Sequence, residues 1–212
     1  IAKIKSLKKH NKFLLKANYP IILASQSEIR KKILTDTGLI FKQVSSGLNE
    51  KEVKKTLKYK RITNLSKKLA QEKAFLVSKK NYDSYVIGAD QICSYKNKIL
   101  SKPNNKKNAI SQLMQINGGE HKQISSVCLY YQEKIVWSYT ETVCLKMRKL
   151  SLSLIKLYVN TDMPLKSCGS YKYEARGKYL FSKVKGNHDA ILGLPLSPLL
   201  EILYKKKIIE YA

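Results

Sequence analysis

Ile21-Ile22-Leu23-Ala24-Ser25-Gln26-Ser27-Glu28-Ile29-Arg30 is the stretch that decides the fold. Its four opening apolar residues are too few for a helix and suit a short strand buried on both faces. Helical spacing follows at once, with Ile29, Ile33 and Leu34 on one stripe up to Gly38. Ser27 stands where an N-cap hydroxyl is wanted, and Gly38 where a helix ends in a left-handed residue. A strand that passes through a two-hydroxyl turn into a helix opens an α/β arrangement.

The alternation continues on both sides of that stretch. Residues 39–44 read as a second strand and 45–50 as a loop, and Leu65, Leu69, Ala70, Ala74, Phe75 and Val77 mark a long helix. Tyr85-Val86-Ile87-Gly88-Ala89 reads as a central strand running into Asp90, with a hairpin tip at Lys96-Asn97 and a return through Ile99-Leu100. After Pro103 comes a helix carrying Ala109, Ile110, Leu113, Met114 and Ile116, stopped by Gly118-Gly119. Two long β runs, 122–131 and 134–146, join at Gln132-Glu133. A helix from Ser151, a strand over 180–184 and a helix over 199–204 close the chain. The class is α/β with a mixed sheet and flanking helices.

Composition restricts the function. The chain has 212 residues, 43% hydrophobic and 26% charged, which are the fractions of a globular protein rather than a disordered one. No apolar run approaches the ~20 residues of a membrane span. No leader pattern is visible, so a reducing cytoplasm is the expectation. Cys93, Cys128, Cys144 and Cys168 lack CxxC or His-flanked spacing, which argues against zinc; the first three sit in apolar runs and read as small buried hydrophobes. The abnormal quantity is charge: 41 Lys+Arg against 15 Asp+Glu gives +26, and only Arg30, Arg61, Arg148 and Arg176 are arginine. Such a surface attracts polyanions. Lysine spread along the whole chain points to a general bias more than to a nucleic-acid reader, which concentrates arginine. Residues 1–18 form a basic extension, read as an amphipathic helix or a loose arm, ahead of a domain over 19–212.

Four segments can carry chemistry. Ser25, Ser27 and Arg30 surround a helix start, where free N–H groups favour an anion, although capping alone explains Ser27. Asp90 stands at the end of an apolar strand, where α/β sheets place ligands; it suits a divalent metal or proton abstraction, or simply a turn. Lys102, held before Pro103, can present a point charge to phosphate. Glu174, in the glycine-containing stretch 169–177, can accept N–H donors from a base edge or lie in an exposed turn.

Taken in order, Ile21-x-Leu23-Ala24-Ser25-x-Ser27-x-x-Arg30, Leu69-Ala70-x-x-Lys73-Ala74, Val86-Ile87-Gly88-Ala89-Asp90, Lys102-Pro103, Gly118-x-x-His121 and Gly193-Leu194-Pro195-Leu196 resemble the Maf family, the septum-formation-inhibitor-like nucleotide pyrophosphatases. The resemblance runs from Tyr19 to Leu203. It implies an α/β fold with two lobes around a deep cleft, often a homodimer. It also implies hydrolysis of nucleoside triphosphates to monophosphate and pyrophosphate with a divalent cation, Mg²⁺, Mn²⁺ or Co²⁺. By the same resemblance Asp90 is the proton acceptor, Glu50 joins it at the metal, and Ser25, Arg30, Lys73 and Lys102 hold the triphosphate. Ile29, Gln91 and Glu174 match positions linked to base selection. The chain departs from the family's Ser-x-Ser-Pro-Arg-Arg at Glu28 and Ile29. Gln91 and Glu174 look like the branch that prefers 7-methyl-GTP, whereas Ile29 lacks the stacking surface of an aromatic. The rival from another class is a non-catalytic nucleotide- or nucleic-acid-binding regulator of cell division, favoured by the charge and opposed by Asp90, Lys73 and Lys102.

Overall fold

The computed structural model describes residues 15–56 and 61–211. The apolar quartet forms β2 (Ile21–Ala24), with all four residues buried. It lies parallel between β3 (Lys42–Gln43) and β4 (Tyr85–Tyr95). Parallel neighbours need crossovers. These contain α1 (Glu28–Thr35), then α2 (Glu50–Thr56) and α3 (Ile62–Ser78). From β4 onward the pairing is antiparallel, through β6 (Glu120–Tyr131), β7 (Lys134–Met147) and β8 (Phe181–Lys185). The short β5 (Lys98–Leu100) folds back on the end of β4. The result is a seven-stranded mixed sheet in the order β3-β2-β4-β6-β7-β8, with β5 attached to β4.

Helices α4 (Lys106–Ile116) and α5 (Leu152–Asp162) pack together, and a 3-10 turn over Arg176–Leu180 leads into β8. Helices α6 (His188–Ile191) and α7 (Leu196–Lys205) bring the chain to β9 (Ile209–Tyr211). β9 pairs with β1 (Leu15–Ala17), and Lys16 Nζ lies 3.2 Å from Glu210 Oε1. β1 falls inside the segment read as a basic extension; the remainder of that segment, 1–14, lies outside the described residues.

Caps behave as the side-chain chemistry requires. The hydroxyls of Ser27 and Ser151 accept from the backbone N–H groups of Arg30 and Leu154, and Asn105 accepts from Asn108. The strand expected over 39–44 is shorter, because Leu39 turns into the core at 4% exposure while Ile40 faces solvent at 72%. Only Lys42 and Gln43 then lie along β2. Glu50 opens a helix instead of ending a loop.

The core has two main parts, and β4 threads both. Ile87 and Ala89 pack with Leu34, Leu199 and Leu203; Cys93 packs with Leu113, Leu145, Ile155 and Val159. Asp90 and Gln91 lie between them along the strand. On the other face of β4 sits α3, brought close by Gly88. A Cβ at Gly88 would stand 2.2 Å from the Ala70 carbonyl oxygen and 2.7 Å from Ala74 Cβ. Bare backbone at 88 and alanines at 70 and 74 thus allow the helix to rest almost directly on the strand. That close seat sets the reach of Lys73, one turn along α3 from Ala70.

Candidate active site

Alternation along β4 places Asp90 on the same face as Gly88, under α3. Its carboxyl is 5% exposed as a residue, and Lys73 is 9% exposed. Lys73 Nζ lies 2.7 Å from Asp90 Oδ1 and 2.7 Å from Glu50 Oε1. One ammonium therefore joins two carboxylates, one from a strand and one from the first turn of α2. Lys54, a helical turn beyond Glu50, adds a second cation at 3.3 Å from Glu50 Oε2. Ser66 Oγ on α3 donates to the Asp90 carbonyl at 3.3 Å, tying the strand backbone to the same helix.

Arg30 approaches from the β2–α1 turn. Its Nη1 donates to the Ala89 carbonyl at 2.9 Å and to Ser25 Oγ at 3.3 Å, and its Nε donates to the Gly193 carbonyl at 2.8 Å. The guanidinium braces β4, the β2–α1 turn and the α6–α7 turn. Its Nη2 has no protein partner among the described residues, which leaves one face of the fork for an anion. Gln43 Nε2 holds the Ser25 carbonyl at 2.9 Å.

The electrostatics of the two acids differ because their surroundings differ. Burial pushes the Asp90 carboxyl above its ordinary range, against the opposing pull of Lys73 and Arg30. Glu50 is less enclosed and has two lysines; burial raises it, but Lys73 and Lys54 outweigh that and hold it down at about 2. A buried acid with raised proton affinity beside a fully ionised one is the arrangement a general base requires.

The remaining residues singled out from sequence take varied positions. Lys102 is exposed, and its charge acts on Cys168, whose thiol is also in the field of Asp90, Arg30 and Lys54. Gln91 donates to the Ala190 carbonyl at 3.1 Å and the Ile191 carbonyl at 2.5 Å, which fastens α6 to β4. Ile29 packs against the core shared with α1 and α7. Glu174 is exposed, its charge acts on Tyr158 of α5, and no bond joins it to Asp90, Arg30 or Lys73. Two contributors were not legible beforehand. Cys168 is a lone thiol in a loop, and Lys54 is one lysine among many. Cys144 is half-buried rather than buried, while Cys93 and Cys128 are buried as expected.

Glu50 and Asp90 are the residues that can hold a divalent cation. Among the described residues no cluster of three His, Cys, Asp or Glu side chains forms a metal cage. Magnesium is commonly held by one or two carboxylates, with water and substrate phosphate completing its shell. The pair fits a cation that arrives with a phosphate ligand. Among the described residues, no helix is long and apolar enough to cross a membrane.

A mixed α/β sheet thus carries an acid–lysine–acid bridge at its central strand, with Lys54 on Glu50 and Arg30 on the Ala89 carbonyl beside it. The family model described as Maf-like protein matches residues 20–206, and the chain belongs to the Maf family. A relative from Legionella pneumophila (strain Paris), called nucleoside triphosphate pyrophosphatase, is 42% identical over 190 residues, covering 90% of this chain and 95% of its own. One of the same name from Pelagibacter ubique is 37% identical over 187 residues, covering 86% and 96%. A Staphylococcus aureus Ham1 protein is a distant likeness, with TM-score 0.43 and 13% identity over 89% of this chain and 99% of that one.

Proposed function

We propose that the protein hydrolyses nucleoside triphosphates between the α and β phosphates, releasing a nucleoside monophosphate and pyrophosphate. The observation that carries this reading is the Asp90–Lys73–Glu50 bridge, buried at Asp90 and Lys73, beside the free edge of Arg30. Family membership and the names of the relatives support it.

In this reading the triphosphate lies against Ser25, Arg30 Nη2, Lys73 and Lys102. These cations relieve the repulsion between the polyanion and an attacking water, and they stabilise charge that develops on the leaving pyrophosphate. Asp90 orients that water and accepts its proton, a role worth ~10²–10⁴-fold in rate. Before substrate binds, the Lys73 ammonium holds the carboxyl in place, and Ser66 fixes the backbone behind it. Glu50 and Asp90 would hold the divalent cation, Mg²⁺, Mn²⁺ or Co²⁺, which would supply charge neutralisation and a lowered pKa of water.

The protein acts in the cytoplasm as a homodimer that clears nucleotide pools, and 7-methyl-GTP is the first base to test. The deciding experiment is a panel of 7-methyl-GTP, UTP, dTTP and the common triphosphates with each of the three metals, following pyrophosphate. Release of pyrophosphate with at least one pair is expected. Orthophosphate as the product, or no hydrolysis with steeply salt-dependent RNA binding, refutes the proposal and supports the regulator. A higher kcat/KM for UTP or dTTP than for 7-methyl-GTP removes the base preference alone.

A further inference from the structure

Lys73 is completely engaged in an unusual place. Its ammonium lies 2.7 Å from a carboxylate oxygen on either side, is almost enclosed, and sits between the two groups best suited to a divalent cation. Lys54 compensates Glu50 from the outside at 3.3 Å. Two carboxylates thus face two ammonium groups, and the pair is neutralised before any metal arrives.

We propose that Lys73 occupies the cation position of the free protein, so that a divalent metal binds Asp90 and Glu50 tightly only when a triphosphate draws the ammonium away. This inference rests on the reading of the site as a triphosphate site and adds its regulation. The physical reason is like-charge exclusion. A divalent ion and an ammonium cannot share the buried Asp90 carboxylate and the half-buried Glu50 carboxylate without strong repulsion, because the surroundings of Lys73 and Asp90 are far less polar than water. A triphosphate removes the conflict because its oxygens accept the N–H donors that Lys73 now gives to the carboxylates. The exchange moves one cation and adds another; no covalent bond changes. Metal and triphosphate then strengthen each other's binding, and by linkage the factor is the same in both directions. The free protein holds no tightly bound metal, and the site becomes complete only with substrate in place.

The test uses Mn²⁺ alone, with bound and free ion separated by electron paramagnetic resonance and no nucleotide present. Lys73→Met removes the ammonium while keeping an unbranched side chain, and Mn²⁺ affinity is expected to rise at least about tenfold over wild type. Lys73→Arg keeps a cation and is expected to bind Mn²⁺ as weakly as wild type. Lys73→Met combined with Asp90→Asn should return to weak binding, which locates the gain at the carboxylates. Adding a non-hydrolysable α,β-methylene triphosphate should tighten Mn²⁺ binding to the wild type by at least about tenfold. Mn²⁺ affinity in Lys73→Met no greater than in wild type overturns the proposal. Should that variant fold only with Mn²⁺, the dependence supports it. Should it not fold at all, the wild type decides: equal Mn²⁺ affinity with and without the analogue overturns it. The arms with metal alone require no turnover, so a wild type without pyrophosphate release refutes the enzymatic reading and leaves this one to be judged by Mn²⁺.

Discussion

Gly88→Ala tests the seat of α3 and the chemistry of Asp90 together. The new methyl carbon would lie 2.2 Å from the Ala70 carbonyl oxygen, where ordinary contact begins at 3.4 Å, so helix and strand must separate by about 1.2 Å. That contact is with backbone, which cannot rotate away. If α3 moves as a unit, the 2.7 Å bond from Lys73 to Asp90 opens to about 3.9 Å, beyond hydrogen-bonding range. Overpacking of this kind costs about 1–3 kcal/mol. For a chain of this length that lowers the melting temperature by roughly 2–4 °C per kcal/mol. Misplacing a catalytic group by an ångström costs about 10²-fold in rate. The assay pairs a thermal melt with kcat for pyrophosphate release, measured well below the new melting temperature. Ala at 88 with unchanged melting and kcat within twofold would show that the close approach of α3 does not position Asp90, and the structural argument for the site would fail.

Asp90→Asn should lower kcat by ~10²–10⁴-fold with little loss of stability, because Lys73 keeps Glu50 at 2.7 Å and a costly buried charge is removed; kcat above a tenth of wild type would refute the role. Glu50 carries the pH dependence. Its folded pKa of about 2 lies below its ordinary 4.5, so its stabilisation is complete above 4.5 and fades as pH falls toward 2. The difference in urea midpoint between wild type and Glu50→Gln should shrink over that window, and a difference that stays constant down to the lower value contradicts the ion-pair reading. Tyr171→Phe removes the hydroxyl that His121 Nε2 and Gln123 Nε2 each meet at 2.8 Å, leaving His121 Nε2 buried without a partner and Gln123 Nε2 with the Cys168 carbonyl at 3.3 Å. That should cost about 1–3 kcal/mol in chemical denaturation, and a variant as stable as wild type would show that the network contributes nothing.

Sequence carried the frame of the molecule further than its details. The quartet Ile21–Ala24 was legible because both-face burial leaves continuous apolar residues. Asp90, read as standing at a strand end, lies instead in the middle of β4, which continues to Tyr95 because Ile92 and Cys93 are buried and paired with β6. The residues 39–44 were over-read: they have strand composition, but Leu39 is committed to the core before pairing starts. Helix α2 was missed because Glu50-Lys51-Glu52-Val53-Lys54 carries no apolar stripe, so periodicity had nothing to register. At the site, Asp90, Arg30 and Lys73 came from the order of motifs, yet neither the motifs nor the spacing shows that Lys73 bridges two acids. That bridge depends on Gly88 and the alanines at 70 and 74, whose meaning appears only when strand and helix face each other. Gln91 and Ile29 were read toward a base; their observed work is to hold α6 and the core.

The charge of the chain and the charge of the site are separate questions. The whole sequence carries +26, which by itself suits any polyanion. The site is far more selective. In the proposed site Asp90 and Glu50 oppose Lys73, Lys54, Arg30 and Lys102, leaving an excess of two positive charges around one buried acid. A triphosphate carries about four negative charges, and with one divalent cation about two remain. On the proposed reading, metal-bound triphosphate would neutralise the site, whereas the bare nucleotide would overfill it. Affinity for an extended polyanion grows with the number of phosphates that it meets. In the proposed site, affinity would be set by whether one ligand supplies both a cation for two carboxylates and oxygens for one displaced lysine.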